Sequence, residues 1–187
     1  GVWAAAATPP AHPADHLQLV AKLTEKVTVP HKLRKNLTGA AQYIENFKHR
    51  KTLVGLMNTA FPGKSTPGEL HQFIAALHKL PLLVDTWYDD AMQLALARHQ
   101  NWGQVQGVSQ SEHYGEWVRY YTAQDELTDA EAAQKWQTLL YRPLGSCSPA
   151  HNYIVSDSDY VEILTEIDIQ TPIPPIVQQR RLGKGFL

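Results

Sequence analysis

The sequence predicts an all-α domain, an irregular bundle of five or six helices, followed by a long extended C-terminal arm. Three observations carry that prediction. Apolar residues recur at spacings of three and four between residues 14 and 141; no stretch there alternates with period two for long; and from Pro143 onward prolines and glycines replace the helical pattern. The chain divides accordingly into an N-terminal piece (1–12), a helical domain (13–142) and an arm (143–187).

Each helix has its own reason. Pro13 and Asp15 suit a helix start, and Leu17, Val20, Ala21 and Val27 mark one stripe that ends near Val29-Pro30. A second helix is expected from about His31 to Arg50, with Leu33, Leu37, Ala40, Ala41 and Ile44 in register; Gly39 weakens it by about 1 kcal/mol relative to Ala. Leu53, Val54, Leu56 and Met57 continue as a short turn before the loop Phe61-Pro62-Gly63-Lys64. Thr66-Pro67-Gly68-Glu69 reads as an N-cap hydroxyl, Pro at the first helical position and Glu reaching back, and Thr128-Asp129-Ala130-Glu131 repeats the device ahead of Trp136, Leu139 and Leu140. Between them, Leu82 to Gln100 is the most apolar helix, with Leu83, Trp87, Ala91, Leu94 and Ala95 buried and Asp85, Asp89, Arg98 and His99 facing solvent. A further helix is expected from about Ser109 to Gln124, carrying Trp117, Tyr120 and Tyr121.

Composition bounds what the chain can be. Its 187 residues are 43% hydrophobic and 19% charged, too apolar for a disordered chain. A chain of this length buries roughly 70% of its unfolded surface. Seventeen basic against eighteen acidic residues give a net charge of −1, which offers no electrostatic case for nucleic acid or anionic lipid. No apolar run approaches the ~20 residues of a membrane-spanning helix.

The two ends differ in character. Gly1-Val2-Trp3 and the alanines 4–7, followed by Thr8-Pro9-Pro10, resemble the end of an export signal, or alternatively a tag remnant or an Ala-rich start. In the arm only Tyr160 to Ile169 has the regularity of a short element. Ile173, Ile176, Val177, Phe186 and Leu187 make the rest too apolar for a solvated tail. Docking on a partner chain and packing back on its own domain both fit that composition.

Candidate chemistry is sparse. His71, His78 and Asp85 recur at seven-residue spacing, but Pro81 breaks their register, and Glu45 with His49 is a helix salt pair. No Glu-x-x-His motif occurs, so a di-iron bundle is not supported. Cys147 is the single cysteine, which excludes an internal disulfide; His151 lies four residues on, a spacing that does not by itself make a nucleophile. There is no Gly-rich phosphate loop, G-x-S-x-G or dinucleotide fingerprint. No catalytic, cofactor-binding or metal residue is therefore assigned.

Three stretches, in order, resemble the small subunit of membrane-associated FAD-dependent sugar and polyol dehydrogenases, such as the sorbitol, fructose and glucose dehydrogenase complexes. They are Asp15 to Thr24 (DHLQLVAKLT) with the helix carrying Leu33, Leu37 and Ala41; Leu82 to Tyr88 (LLVDTWY); and Trp136 to Pro143 (WQTLLYRP) followed by Cys147-Ser148-Pro149. The chain departs from that family at Glu25 and Asp90, where the family has Gly. A longer stretch between Tyr88 and Trp136 implies an inserted helix, and the tail beyond Tyr153 has no counterpart.

The resemblance implies a non-catalytic, exported accessory subunit that binds, and helps mature and export, a large flavoprotein oxidising a sugar or polyol. The chain itself would hold no cofactor: FAD would sit in the large subunit and haem in a multihaem cytochrome subunit. It would be periplasmic and peripheral to the inner membrane through its complex, without spanning the membrane. Partner contacts would fall on Trp87, Tyr88, Tyr141, Pro143, Cys147, Pro149, Tyr153, Ile173, Ile176 and Phe186, with Cys147 a candidate for a disulfide to the large subunit. The alternative is a stand-alone periplasmic helical adaptor with no redox partner.

Overall fold

Helix α1 (His16–Leu23) begins where the sequence places it, because the Asp15 carboxylate accepts the Gln18 N–H at 2.9 Å. The computed structural model describes Trp3 and residues 8–77, 79–169 and 173–182. After a 3-10 turn over His31–Leu33, helix α2 (Leu37–Ala60) starts at Asn36, whose side chain accepts from Gly39 N. It joins the expected second helix to the short turn that follows, across a kink at His49, which adopts φ 68° and ψ 152°. Leu19, Leu23, Ile44, Leu53 and Met57 close the α1–α2 interface with no exposed surface. Helix α3 (Glu69–Ala75) starts two residues later than the Thr66 cap predicts. Gly68 is its N-cap, and the imidazole of His71, rather than Glu69, accepts the Gly68 N–H at 3.2 Å.

From Pro81 onward the all-α expectation gives way. The chain is α/β, built on a five-stranded mixed sheet in the order β1-β5-β2-β3-β4. Its strands are β1 (Leu82–Val84), β2 (Trp102–Gly107), β3 (Val118–Thr122), β4 (Leu127–Thr128) and β5 (Thr138–Arg142). β1, β5 and β2 are parallel, with Leu83 opposite Leu140 and Gly103 opposite Leu139; β2, β3 and β4 form an antiparallel meander. The predicted apolar helix over Leu82–Gln100 is therefore β1 followed by the short helix α4 (Ala91–Leu96), and the one over Ser109–Gln124 is a loop and β3. The capping signal at Thr128 is real but shifted: Asp129 caps α5 (Ala130–Ala133) after a single turn, and Leu139 and Leu140 lie in β5.

The physical reason lies in burial on both sheet faces. Leu83, Trp102 and Leu140 pack under α3 and α4, while Leu82, Val105 and Leu139 pack against α5 and a C-terminal helix. A central parallel strand covered twice is a continuous apolar run without polar alternation, and a run of that kind is indistinguishable by period from a buried helix. β2 adds a second disguise, since its Gln104 and Gln106 are fully buried and hydrogen-bond to Asp125, to each other and to the Ser148 carbonyl.

The extended arm is corrected in the same way. Residues 143–182 hold a small hairpin, β6 (Gly145–Ser146) with β7 (Asn152–Tyr153), then α6 (Asp157–Ile169) and α7 (Pro175–Arg181). Tyr153 and Val155 join the α1–α2 core, and Ile176 and Val177 cover the sheet. Arg180 fastens α7 to the Pro81 carbonyl at 2.7 Å and the Trp136 carbonyl at 2.6 Å. An apolar, Pro-rich segment had to be covered, and its own sheet covers it. No helix among the described residues is long and apolar enough to cross a membrane.

Candidate functional site

Three parallel strands in one sheet present their carboxyl ends together, and such an edge is where open α/β sheets generally hold ligands. Beyond β1 the chain turns through Asp85, Thr86, Trp87, Tyr88, Asp89 and Asp90 before α4 begins. Asp85 makes the turn itself: its N–H still donates to the Tyr141 carbonyl at 2.9 Å, and its carboxylate accepts the Trp87 N–H at 3.0 Å. The next two acids both hold backbone N–H groups. Asp89 accepts from Ala91 N at 2.8 Å, and Asp90 holds Lys64 N at 2.6 Å and Ser65 N at 3.0 Å.

A cleft of about 380 Å³ opens between this turn, the start of α1 and α3. Asp15, Asp85 and Asp89 line it together with His71, Trp3 and Trp87; among the described residues no Lys or Arg does. Burial pushes the Asp85 carboxyl above its ordinary range against the pull of Arg142, whose Nη2 lies 3.5 Å away. Burial also lowers the pKa of His71, with Asp89 opposing it. His71 Nδ1 accepts from Gly68, so the neutral ring carries its proton on Nε2 and offers the cleft an N–H. Desolvation raises Asp90, but the hydrogen bonds from Ser65 and Lys64 outweigh it and hold this carboxyl below its usual value.

A sheet of this type commonly receives a dinucleotide, with the pyrophosphate on a glycine-rich turn at the N-terminus of the first crossover helix. The residues here do not fit that group. The β1–α4 turn carries Asp89 and Asp90 where a phosphate would need glycine N–H groups; the Asp89 carboxylate already takes the Ala91 N–H at the start of α4, and the Asp90 carboxylate takes the Lys64 and Ser65 N–H groups of the loop before α3. G-x-G-x-x-G does not occur in the sequence. No reaction step is derived through a dinucleotide.

The sequence-predicted residues scatter through the fold. Trp87 is half-buried and donates its indole N–H to the Pro13 carbonyl at 3.0 Å; Tyr88 is buried and donates to the Ile154 carbonyl at 2.9 Å. Tyr153, also buried, donates to Asn58 at 2.6 Å and shares one core with Tyr88 and Cys147. Tyr141 and Ile173 pack beside buried Ile176 in the core under α7. Pro143 and Pro149 are half-buried in the turns flanking β6, and Phe186 lies outside the described residues, as does His78. Cys147 is free and buried, with its thiol pushed up to about 12 by burial. His151 is exposed, and no group of three His, Cys, Asp or Glu among the described residues is arranged to hold a metal ion.

Sequence reasoning passes over Trp3, His12 and Asp89. Asp89, expected at the surface, is only 3% exposed. The available signal is local: a three-residue apolar run closed by Asp-Thr-Trp-Tyr-Asp-Asp is the pattern of a buried strand emptying into a polar turn.

A family model described as a SIR2-like domain matches residues 81–187, from the residue before β1 to the end of the chain. No curated protein matches the chain. The matched span takes in two of the three stretches that resemble dehydrogenase small subunits, and within it LLVDTWY is a strand and its turn while WQTLLYRP runs into β5. The resemblance to that all-helical family is thereby overturned. Trp3, Asp15 and His71 come from outside the matched span, so the cleft joins a SIR2-like sheet edge to residues contributed by the preceding helical part.

Proposed function

This chain belongs to the SIR2-like domain family, and from that premise we propose that it is a small-molecule-binding α/β domain whose cleft at the carboxyl end of β1 takes an uncharged or cationic ligand with a flat ring. The observation that carries this reading is the lining: three carboxylates and the Trp87 indole with no Lys or Arg among the described residues. A flat cation is attracted by both, through charge pairing and through the aromatic face, whereas a phosphate group is repelled by the carboxylates. The volume lies within the range of small-ligand pockets.

The expectation of a flavoprotein and a cytochrome as partners hangs on the dehydrogenase resemblance and loses its premise with it.

Isothermal titration of the purified full chain with benzamidine and with inorganic pyrophosphate tests the reading. Benzamidine is expected to bind, with at least a tenfold loss for Asp85→Asn, and pyrophosphate is not. Pyrophosphate binding more tightly than benzamidine, or benzamidine binding that ignores Asp85→Asn, would overturn it.

A further inference from the structure

The inner end of the cleft is already occupied by a side chain of the chain itself. Trp3 is 8% exposed, yet it belongs to none of the three apolar cores, and its indole is walled by polar groups. The ring centroid lies 4.6 Å from that of His71 and 5.0 Å from that of His12, the latter edge-on, and Nε1 donates to Asp89 Oδ2 at 2.6 Å. The same indole also lines the neighbouring cavity of about 510 Å³ formed by residues 8–12 and 62–69, so it is the partition between two spaces.

The groups around the indole ask for more than an indole supplies. His12 Nδ1 lies 3.1 Å from the Pro13 carbonyl, an acceptor only, and the tautomer with its single proton on Nδ1 leaves Nε2 as an acceptor. That Nε2 is buried, has no hydrogen-bond partner among the described residues, and sits 3.7 Å from Asp89 Oδ2. In that tautomer two buried acceptors stand side by side against the Trp3 indole. Indole has one N–H and satisfies one of them. A ring with two adjacent N–H donors, an amidine-type edge, would satisfy both, and leaving a buried acceptor bare costs stability that such a ligand recovers.

We propose that Trp3 is a resident stand-in for the ligand, and that the site takes a flat heteroaromatic ring with an amidine-type edge, its donor pair on Asp89 and His12, by displacing the Trp3 indole. This rests on the cleft reading above and specifies both its ligand and its competitor. Wild type binds weakly because the incoming ring must first expel the indole, and the chain thereby holds its own site closed against poor donors.

The probe is 2-aminobenzimidazole, a bicycle of indole's size with the N–H/NH₂ edge, compared with indole by isothermal titration on the full chain. Trp3→Ala is expected to bind 2-aminobenzimidazole at least tenfold more tightly than wild type, and tenfold more tightly than it binds indole. Trp3→Phe, which keeps a ring but frees Asp89, should fall between the two and guards against a fold defect in the alanine variant. Asp89→Asn in the Trp3→Ala background should abolish the gain. Equal affinity of wild type, Trp3→Phe and Trp3→Ala, with binding still lost in Asp85→Asn, would sink the displacement while leaving the cleft. Indole bound as tightly as 2-aminobenzimidazole would sink the donor-pair assignment. Failure of every variant to bind 2-aminobenzimidazole, together with pyrophosphate binding to wild type, would remove the cleft reading itself.

Discussion

Arg50 of α2 and Asp159 of α6 form an ion pair 2.8 Å long in which the Asp159 side chain has no exposed surface. The same guanidinium reaches the Tyr153 carbonyl at the end of β7, while Asp159 collects the Ser109 hydroxyl at 2.6 Å and the N–H groups of Val155 and Ser156. One pair thus ties three parts of the chain: the long helix, the exit of β2 and the start of α6. Two of these lie in the matched SIR2-like span and one ahead of it.

Removing the cation leaves that carboxylate buried. Arg50→Met is expected to cost about 3–5 kcal/mol, the range for breaking one side of a buried pair. Urea unfolding followed by circular dichroism measures it. A loss below about 1 kcal/mol would show that Asp159 behaves as a surface partner.

Asp159 also sets an acid limit. Desolvation raises its pKa, but Arg50 first, then Ser109 and the two backbone donors, bring it below the usual carboxylate range. A group whose pKa is depressed on folding stabilises the fold fully above its unfolded pKa, and that contribution is lost as pH falls through the folded value. Thermal unfolding of wild type should therefore lose midpoint temperature steeply below about pH 4, and Asp159→Asn should start lower and fall less steeply in the same window. Parallel slopes for the two proteins would assign the acid limb to other carboxylates.

What the sequence shows of this fold depends on where its polar residues point. α1 and the first part of α2 are legible, because Asp15 is an exposed cap and both helices carry apolar stripes, although the second helix is read from about His31 and starts at Leu37 behind the Asn36 cap. The sheet is not. Gln104, Gln106, Thr138 and Arg142 are polar residues in strands and nearly or fully buried, so polarity no longer marks the solvent side. The apolar run at Leu82 is too short to show its period before the turn begins. The cleft is hidden for a different reason: Trp3, His12, His71 and Asp89 are brought together from four separate stretches, and only Asp89 has a neighbouring strand signal. The arm's apolar content is read correctly as a need for cover; which surface answers the need is decided by tertiary packing.

Gly103 in the middle of β2 is there for Trp136. A Cβ at this position would overlap the Trp136 six-membered ring, which lies flat over the strand. Gly103→Ala should cost about 1–3 kcal/mol by overpacking, despite the better intrinsic strand propensity of Ala. Trp136→Leu in the same background should recover part of it, so the two changes together cost less than their sum. Strict additivity of the two in a double-mutant cycle would show that the ring relaxes away without penalty.

Cys147 should be inert until the fold opens. Its N–H donates to the Tyr88 carbonyl at 2.9 Å, its side chain is 1% exposed among Tyr88, Tyr153 and the α1–α2 core, and burial lifts the thiol to about 12. Both access and thiolate fraction, the two quantities that control thiol reactivity, are therefore low at neutral pH. Labelling by a disulfide reagent such as dithionitrobenzoate should run at least a hundredfold slower in buffer than in denaturing urea, and should accelerate with urea along the unfolding curve. Because the Cys147 N–H, just past β6, is bonded to the Tyr88 carbonyl in the turn after β1, its protection reports closure of the parallel-sheet edge beside the cleft. Rapid labelling in buffer, with circular dichroism unchanged, would mean that the turn opens locally and that the thiol is available to another chain after all.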